Sequence, residues 1–308
     1  MKAIVLTDGK AGHENQSRAF ARALGCDVEL VPVKFKSKLH KALSYALDRV
    51  GVRTLGLFED PAKILTASGD AKAVIGTGSG TFYAAKSLAR KLGVKCGVVL
   101  TPSGYDLSSF DCILSPTFDE PPKRPNIVEI PANLVANDEA FYERGVAEFR
   151  KRHAPDGRDA VAVVVGGPNK CSTMSAGWMK GELERIFAEN KGCEFWVTTS
   201  RRTPAEVETV VDAFPFDYKL LYSRDHFNPI PAFVKLAKRL YVTAESTGML
   251  SEACTFGSAN VVALDNLNPG PHKFRRFVEN LRTGGYVDGS RKIDLADEFA
   301  AARRLMGL

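Results

Sequence analysis

Short apolar runs alternate with amphipathic stretches along almost the whole chain, and the alternation restarts halfway. Ile4-Val5-Leu6, Ala73-Val74-Ile75 and the run from Ala160 to Val165 place apolar side chains at consecutive positions, as strands buried on both faces do. Each meets a glycine-bearing turn before a stretch with helical spacing. Strands that alternate with helices in this way form parallel sheets covered on both faces. The expected class is α/β, built as two Rossmann-like domains.

In the first half, strands are expected at about 4–6, 28–33, 73–75, 96–100, 111–114 and 127–130. A helix with the apolar face Ala19, Phe20, Ala23 and Leu24 ends at Gly25, and further helices fall near 38–49, 81–92 and 138–152. The second half gives strands near 160–165, 195–198, 218–222, 240–243 and 260–264. Its helices lie near 175–190, 230–238 and 248–256, with two more in the tail at about 272–282 and 291–306. Thr203-Pro204-Ala205-Glu206 reads as a capping box with Pro at the first helical position, which makes Thr203 an N-cap. Pro and Gly punctuate the polar run from His153 to Asp159, the best linker in the chain. The expected domains are 1–154 and 155–290, with a C-terminal helix in 291–308 packing back on the first.

Composition narrows the function classes. At 308 residues, with 44% hydrophobic and 25% charged, the chain is globular and long enough for two domains. Its net charge of +6 suits an acidic small molecule or an anionic membrane surface. It lacks the dense basic stripe with interleaved aromatics that nucleic acid requires, so no nucleic-acid partner is expected. The one basic concentration is Lys34 to Lys41 (KFKSKLHK), ordinarily a solvated helix face. No signal-peptide core or membrane-length apolar run is present, so the expected location is cytoplasmic, with peripheral contact at the inner membrane face. Six scattered cysteines without CxxC read as reduced thiols. GxxxxGK[ST], HExxH and GxSxG are absent. No DxD stands at a strand end, so neither a metal nor another cofactor is expected.

Five turns at strand ends carry the chemistry. In Asp8-Gly9-Lys10-Ala11-Gly12-His13-Glu14-Asn15-Gln16, two glycines permit a tight turn while Lys10, His13, Asn15 and Gln16 crowd one strand end. His13 is the candidate general base, by the pKa class of imidazole. Gly76-Thr77-Gly78-Ser79-Gly80 resembles half a dinucleotide fingerprint but lacks the acidic residue about 20 positions on. Close backbone packing or acceptor contacts suit it better. Gly166-Gly167-Pro168-Asn169-Lys170 lets backbone approach a diphosphate that Lys170 neutralises. Ser200-Arg201-Arg202 puts adjacent guanidiniums at another strand end as an anion clamp. The fifth turn, in YVTAESTGMLSEACTFG, sets Ser246, Thr247, Met249 and Ser251 at a helix N-terminus with Glu252 one turn further in. Free amides there suit a phosphate, and the carboxylate suits both hydroxyls of a ribose.

TDGKAGHENQ, VVVGGPNK, TTSRRTP and VTAESTGMLSEACTFG, in this order, resemble the plant mitochondrial-fission factors and their bacterial relatives. Those proteins resemble GT-B glycosyltransferases and nucleotide-sugar epimerases. The resemblance implies two Rossmann-like domains facing across a cleft. A nucleotide-diphosphate sugar would bind the C-terminal one, through Gly166, Gly167, Lys170 and Arg201. Glu252 would hold the ribose, and His13 with Asp8 would deprotonate an acceptor hydroxyl, the acceptor lipid-linked by analogy with peptidoglycan-precursor synthesis. The chain departs from the family pattern at Asn169, Cys171, Glu245 and Gly248. Metal-independent glycosyl transfer is thus the leading expectation. Epimerisation in the same cleft and a non-catalytic scaffold are its rivals.

Overall fold

The N-terminal apolar run forms β1 (Lys2–Thr7), buried from Ala3 to Leu6, and Gly9 at φ +79° turns the chain directly into α1 (Ala11–Ala23). Then come β2 (Asp27–Pro32), α2 (Lys38–Arg49), α3 (Pro61–Leu65), β3 (Ala71–Thr77), α4 (Phe82–Leu92), β4 (Lys95–Val99), β5 (Cys112–Pro116) and β6 (Ile127–Ile130). α5 (Glu139–Arg152), β7 (Ala160–Val165), α6 (Ala176–Glu189), β8 (Glu194–Thr199), α7 (Ala205–Ala213) and β9 (Tyr218–Leu220) lead to α8 (Ile230–Leu236). β10 (Arg239–Thr243), α9 (Thr247–Thr255), β11 (Asn260–Leu264), α10 (Lys273–Thr283) and α11 (Ala296–Met306) complete the chain. This computed structural model describes residues 1–66 and 70–308.

Two units result: residues 1–136 with 295–308, and residues 137–294. The first holds an all-parallel six-stranded sheet in the order β2-β1-β3-β4-β5-β6. The second holds an all-parallel five-stranded sheet in the order β11-β10-β7-β8-β9. The strand order reverses between β1 and β3 in one and between β7 and β10 in the other. Such switch points open a crevice at the carboxyl ends of the strands, where ligands bind in open α/β sheets.

The division falls at 136/137 and not at the Pro155–Gly157 linker. The reason is α5, whose apolar side chains find their partners in the second unit. Phe149 is fully buried, with ring centroids 5.0 Å from Trp196, 4.8 Å from Tyr218 and 5.8 Å from Phe233. Gly145 leaves no room for a side chain against Pro231. In the first unit, α11 closes one face of the sheet. Its Ala302 and Met306 are buried with Phe20 and Leu114, and a Cβ at Gly97 would lie 2.8 Å from Phe20 and 3.1 Å from Met306. Cys26, Cys96, Cys112 and Cys254 are buried and all six cysteines are free thiols. Among the described residues, no helix is long and apolar enough to cross a membrane.

Candidate functional site

At the switch point of the first unit, the loops after β1 and β3 close on each other. α1 starts at Ala11, earlier than the sequence suggests, so His13 stands in its first turn. His13 Nδ1 lies 3.1 Å from each Asp8 carboxylate oxygen, and Lys10 Nζ lies 3.3 Å from Oδ2. Burial pushes the Asp8 carboxyl up, but the charge of His13 and the hydrogen bond and charge of Lys10 outweigh it, holding the group below its ordinary value. An ionised Asp8 accepts from Nδ1–H, so in the neutral form of the imidazole the lone pair lies on Nε2. Nε2 has no partner among the described residues.

The glycine-rich turn after β3 is what fits against this pair. A Cβ at Gly78, where φ is +81°, would lie 2.3 Å from the His13 ring. One at Gly80 would lie 2.7 Å from the Asp8 side chain. Thr77 donates to or accepts from Ser17 at 2.7 Å, and Ser79 Oγ receives the Lys41 ammonium at 2.8 Å. Gly78 and Gly80 make room for the histidine and the carboxylate, while Gly76 makes room for Thr81. Gly12 and Asn15 sit on the exposed side of α1, apart from the pair.

At the switch point of the second unit, Glu245 is buried beside the end of β7. Its Oε1 accepts from the Gly167 amide at 2.7 Å and the Thr243 hydroxyl at 3.1 Å, and its Oε2 from Asn266 Nδ2 at 2.8 Å. The Gly166 amide donates to Thr243 Oγ1 at 2.8 Å. This corrects the reading of Gly166 and Gly167 as phosphate donors, since both amides are already engaged. The glycines serve close approach instead. A Cβ at Gly166 would lie 2.0 Å from Glu245 Oε1, and one at Gly167 2.2 Å from the Arg202 carbonyl oxygen.

Beside Glu245 lies a cavity of about 630 Å³ lined by Asn169, Lys170, Cys171, Arg202, Glu245, Ser246, Thr247, Gly248, His272, Lys273 and Phe274. Two helices point their N-termini at it. α9 begins after Ser246 with no side-chain cap, so the first-turn amides of Thr247, Gly248 and Met249 are open while Leu250 bonds back to Ser246. α10 begins after His272, whose Nδ1 accepts from the Arg275 amide and whose Nε2 faces the Asn268 carbonyl. Both helix dipoles favour an anion here. Lys170 and Arg202 are exposed at the rim and have no side-chain partner among the described residues.

Other expected residues are engaged elsewhere. Glu252 does not line the cavity. Its Oε1 accepts from the Tyr142 hydroxyl at 2.9 Å and Asn137 Nδ2 at 3.2 Å, tying α9 to α5, and burial raises its carboxyl above the ordinary value. Ser251 is buried and donates to the Thr247 carbonyl at 2.6 Å. Asn169 accepts the Cys171 amide at 2.7 Å, which shapes its own loop. Ser200 and Thr203 form a turn, and Thr203 Oγ1 donates to Gly166 O at 2.5 Å rather than capping α7, whose N-cap is Pro204. Arg201 is exposed outside the cavity. His272, Lys273 and Phe274 were missed, although the loop after β11 obeys the same strand–loop–helix logic. Among the described residues, no group of three or more His, Cys, Asp or Glu is arranged to hold a metal ion.

The chain matches the family described as Mitochondrial fission ELM1 over residues 11–304. No curated protein matches it significantly. A UDP-GlcNAc 2-epimerase from Methanocaldococcus jannaschii is similar in structure at 13% identity and TM-score 0.53, with 100% of this chain and 98% of that chain covered. A Listeria monocytogenes protein described as a UDP-N-acetylglucosamine 2-epimerase gives 11% identity and TM-score 0.55 over 99% of this chain and 90% of its own. MurG from Acinetobacter baumannii gives 15% identity and TM-score 0.49 over 99% and 92%. Identities this low establish the fold alone, which is GT-B-like.

Proposed function

The chain belongs to the Mitochondrial fission ELM1 family, and from that premise we propose that it is a GT-B-like glycosyltransferase using a nucleotide-diphosphate sugar. The cavity of the second unit holds the diphosphate. Negative charge grows on that group as the glycosidic bond breaks, and donors aimed at it lower the barrier. The open α9 amides, the α10 N-terminus, Lys170 and Arg202 supply those donors. In the first unit, Asp8 holds the His13 imidazole with Nε2 unprotonated, ready to take the proton of an acceptor hydroxyl. The observation that carries the reading is two uncommitted cations, Lys170 and Arg202, on the same cavity as an uncapped helix N-terminus.

Product analysis with a panel of UDP-, GDP- and ADP-sugars tests it. Release of free nucleoside diphosphate with the sugar on an acceptor supports transfer. An isomerised sugar still attached to its nucleotide would replace transfer by epimerisation. Failure of every nucleotide to bind would remove both in favour of a scaffold.

A further inference from the structure

We infer that α2 is a membrane-surface helix that docks the protein on an anionic lipid bilayer. Tyr45 and Leu47 pack it on the core, yet polar contacts hold much of its inner face and apolar side chains stand on its outer one. On its inner face Ser44 bonds the Tyr105 hydroxyl at 2.8 Å, Lys41 donates to Ser79, and the buried Asp48 accepts from the buried Lys86 at 2.9 and 3.1 Å. Tyr45 stacks on Tyr105 with centroids 4.4 Å apart. On its outer face Leu39 is 76% exposed and Leu43 44%, with Ala42 and Ala46 exposed beside them. Val50 and Val52, 73% and 43% exposed, continue this surface into the next turn. Among the described residues, the other exposed large apolar side chains are Met1 and Leu30. At 3.6 residues per turn, Leu39, Leu43, Ala46 and Val50 fall within an arc of about 60°.

Within residues 36–53 the exposed charges are all basic, and the nearest exposed acid in sequence, Glu59, is paired with Lys34. Lys36, Lys38 and Arg49 are exposed, whereas the one acid in the helix, Asp48, is buried against Lys86 and Arg53. Arg90 donates to the Gly51 carbonyl in the same turn as Val50 and Val52, and with Arg53 and Lys91 it lines an adjoining cavity of about 590 Å³. An anionic bilayer satisfies both features. Its acyl boundary takes the leucines and valines, while long basic side chains extend to the phosphates. A second copy fits worse, because a two-fold contact through this face would oppose like charges. The inference is independent of the sugar-nucleotide reading, since no α2 residue lines the second unit's cavity.

Co-sedimentation of the full chain with vesicles tests it. One set is pure phosphatidylcholine and the other contains about one-third phosphatidylglycerol. The expected result is at least about tenfold stronger binding to the anionic set, weakening as salt rises. A Leu39→Ser/Leu43→Ser double variant loses that binding while the fold is kept, because Leu39 is largely and Leu43 nearly half exposed to water. Lys36→Glu with Lys38→Glu loses it as well. Equal binding to both vesicle types, or none, overturns the inference. So does concentration-dependent dimerisation of the wild type that the leucine variant abolishes.

Discussion

The two switch points use glycine alike and carry opposite chemistry. In the first unit Gly78 and Gly80 make room for His13 and Asp8, and in the second Gly166 and Gly167 make room for Glu245 and the Arg202 backbone. In the second turn the glycine amides are engaged within the fold and do not form a phosphate cradle. The difference lies in what stays open to solvent. Beside the first turn it is an imidazole nitrogen oriented by an ionised carboxylate. Beside the second the carboxylate is buried with three donors, and the open groups are helix amides and cations. One switch point is suited to moving a proton and the other to holding an anion. A Gly-rich turn therefore reports close packing first and a ligand only through its neighbours.

The sharpest way to break this contrast is His13→Ala. It is expected to lower the transferase rate by roughly 10²- to 10⁴-fold and leave nucleotide affinity within about twofold. Steady-state kinetics beside a binding assay separates the two, and a loss of affinity would erase the division of labour. Next in size are Gly78→Ala and Gly167→Ala, each expected to destabilise by about 1–3 kcal/mol through overpacking. The first also forces alanine into a left-handed backbone. Denaturant titration measures this, and a neutral Gly167→Ala would mean that the turn has slack to spare.

Most of the fold was legible in the sequence, because buried parallel strands are continuous apolar runs and their turns carry glycine. The unit boundary was not. Pro155 and Gly157 mark a surface loop, whereas only packing reveals that Phe149 and Tyr142 belong with α8 and α9. At the site, Asp8, His13, Lys170 and Arg202 could be found by position at strand ends. Glu252 and Ser251 misled because a helix turns by 100° per residue. Ser246 and Thr247 face the cavity, but Glu252, five positions after Thr247, is rotated by about 140° and points toward Tyr142, while Ser251 bonds back to the Thr247 carbonyl. His272 and Lys273 were hidden by their distance in sequence from the other turns that line the cavity.

The smallest expected effect follows from that correction. Burial raises the Glu252 carboxyl, so the folded state favours its protonated form. The resulting cost is absent below the ordinary carboxylate value and grows as pH rises through the raised one. Glu252→Gln is therefore expected to raise the melting temperature by about 1–2 °C near pH 7.5, with no gain near pH 4 and no change in nucleotide affinity. Differential scanning fluorimetry at the two pH values reads it. A tenfold loss of affinity would restore Glu252 to the ligand.

The claim that the second unit grips a diphosphate through helix amides and two free cations is tested most directly by calorimetric titration with UDP, GDP and ADP. The account predicts saturable binding of at least one of them, weakened about tenfold in Lys170→Ala and again in Arg202→Ala. Full-strength binding in the double variant, or no heat with any of the three, would contradict it.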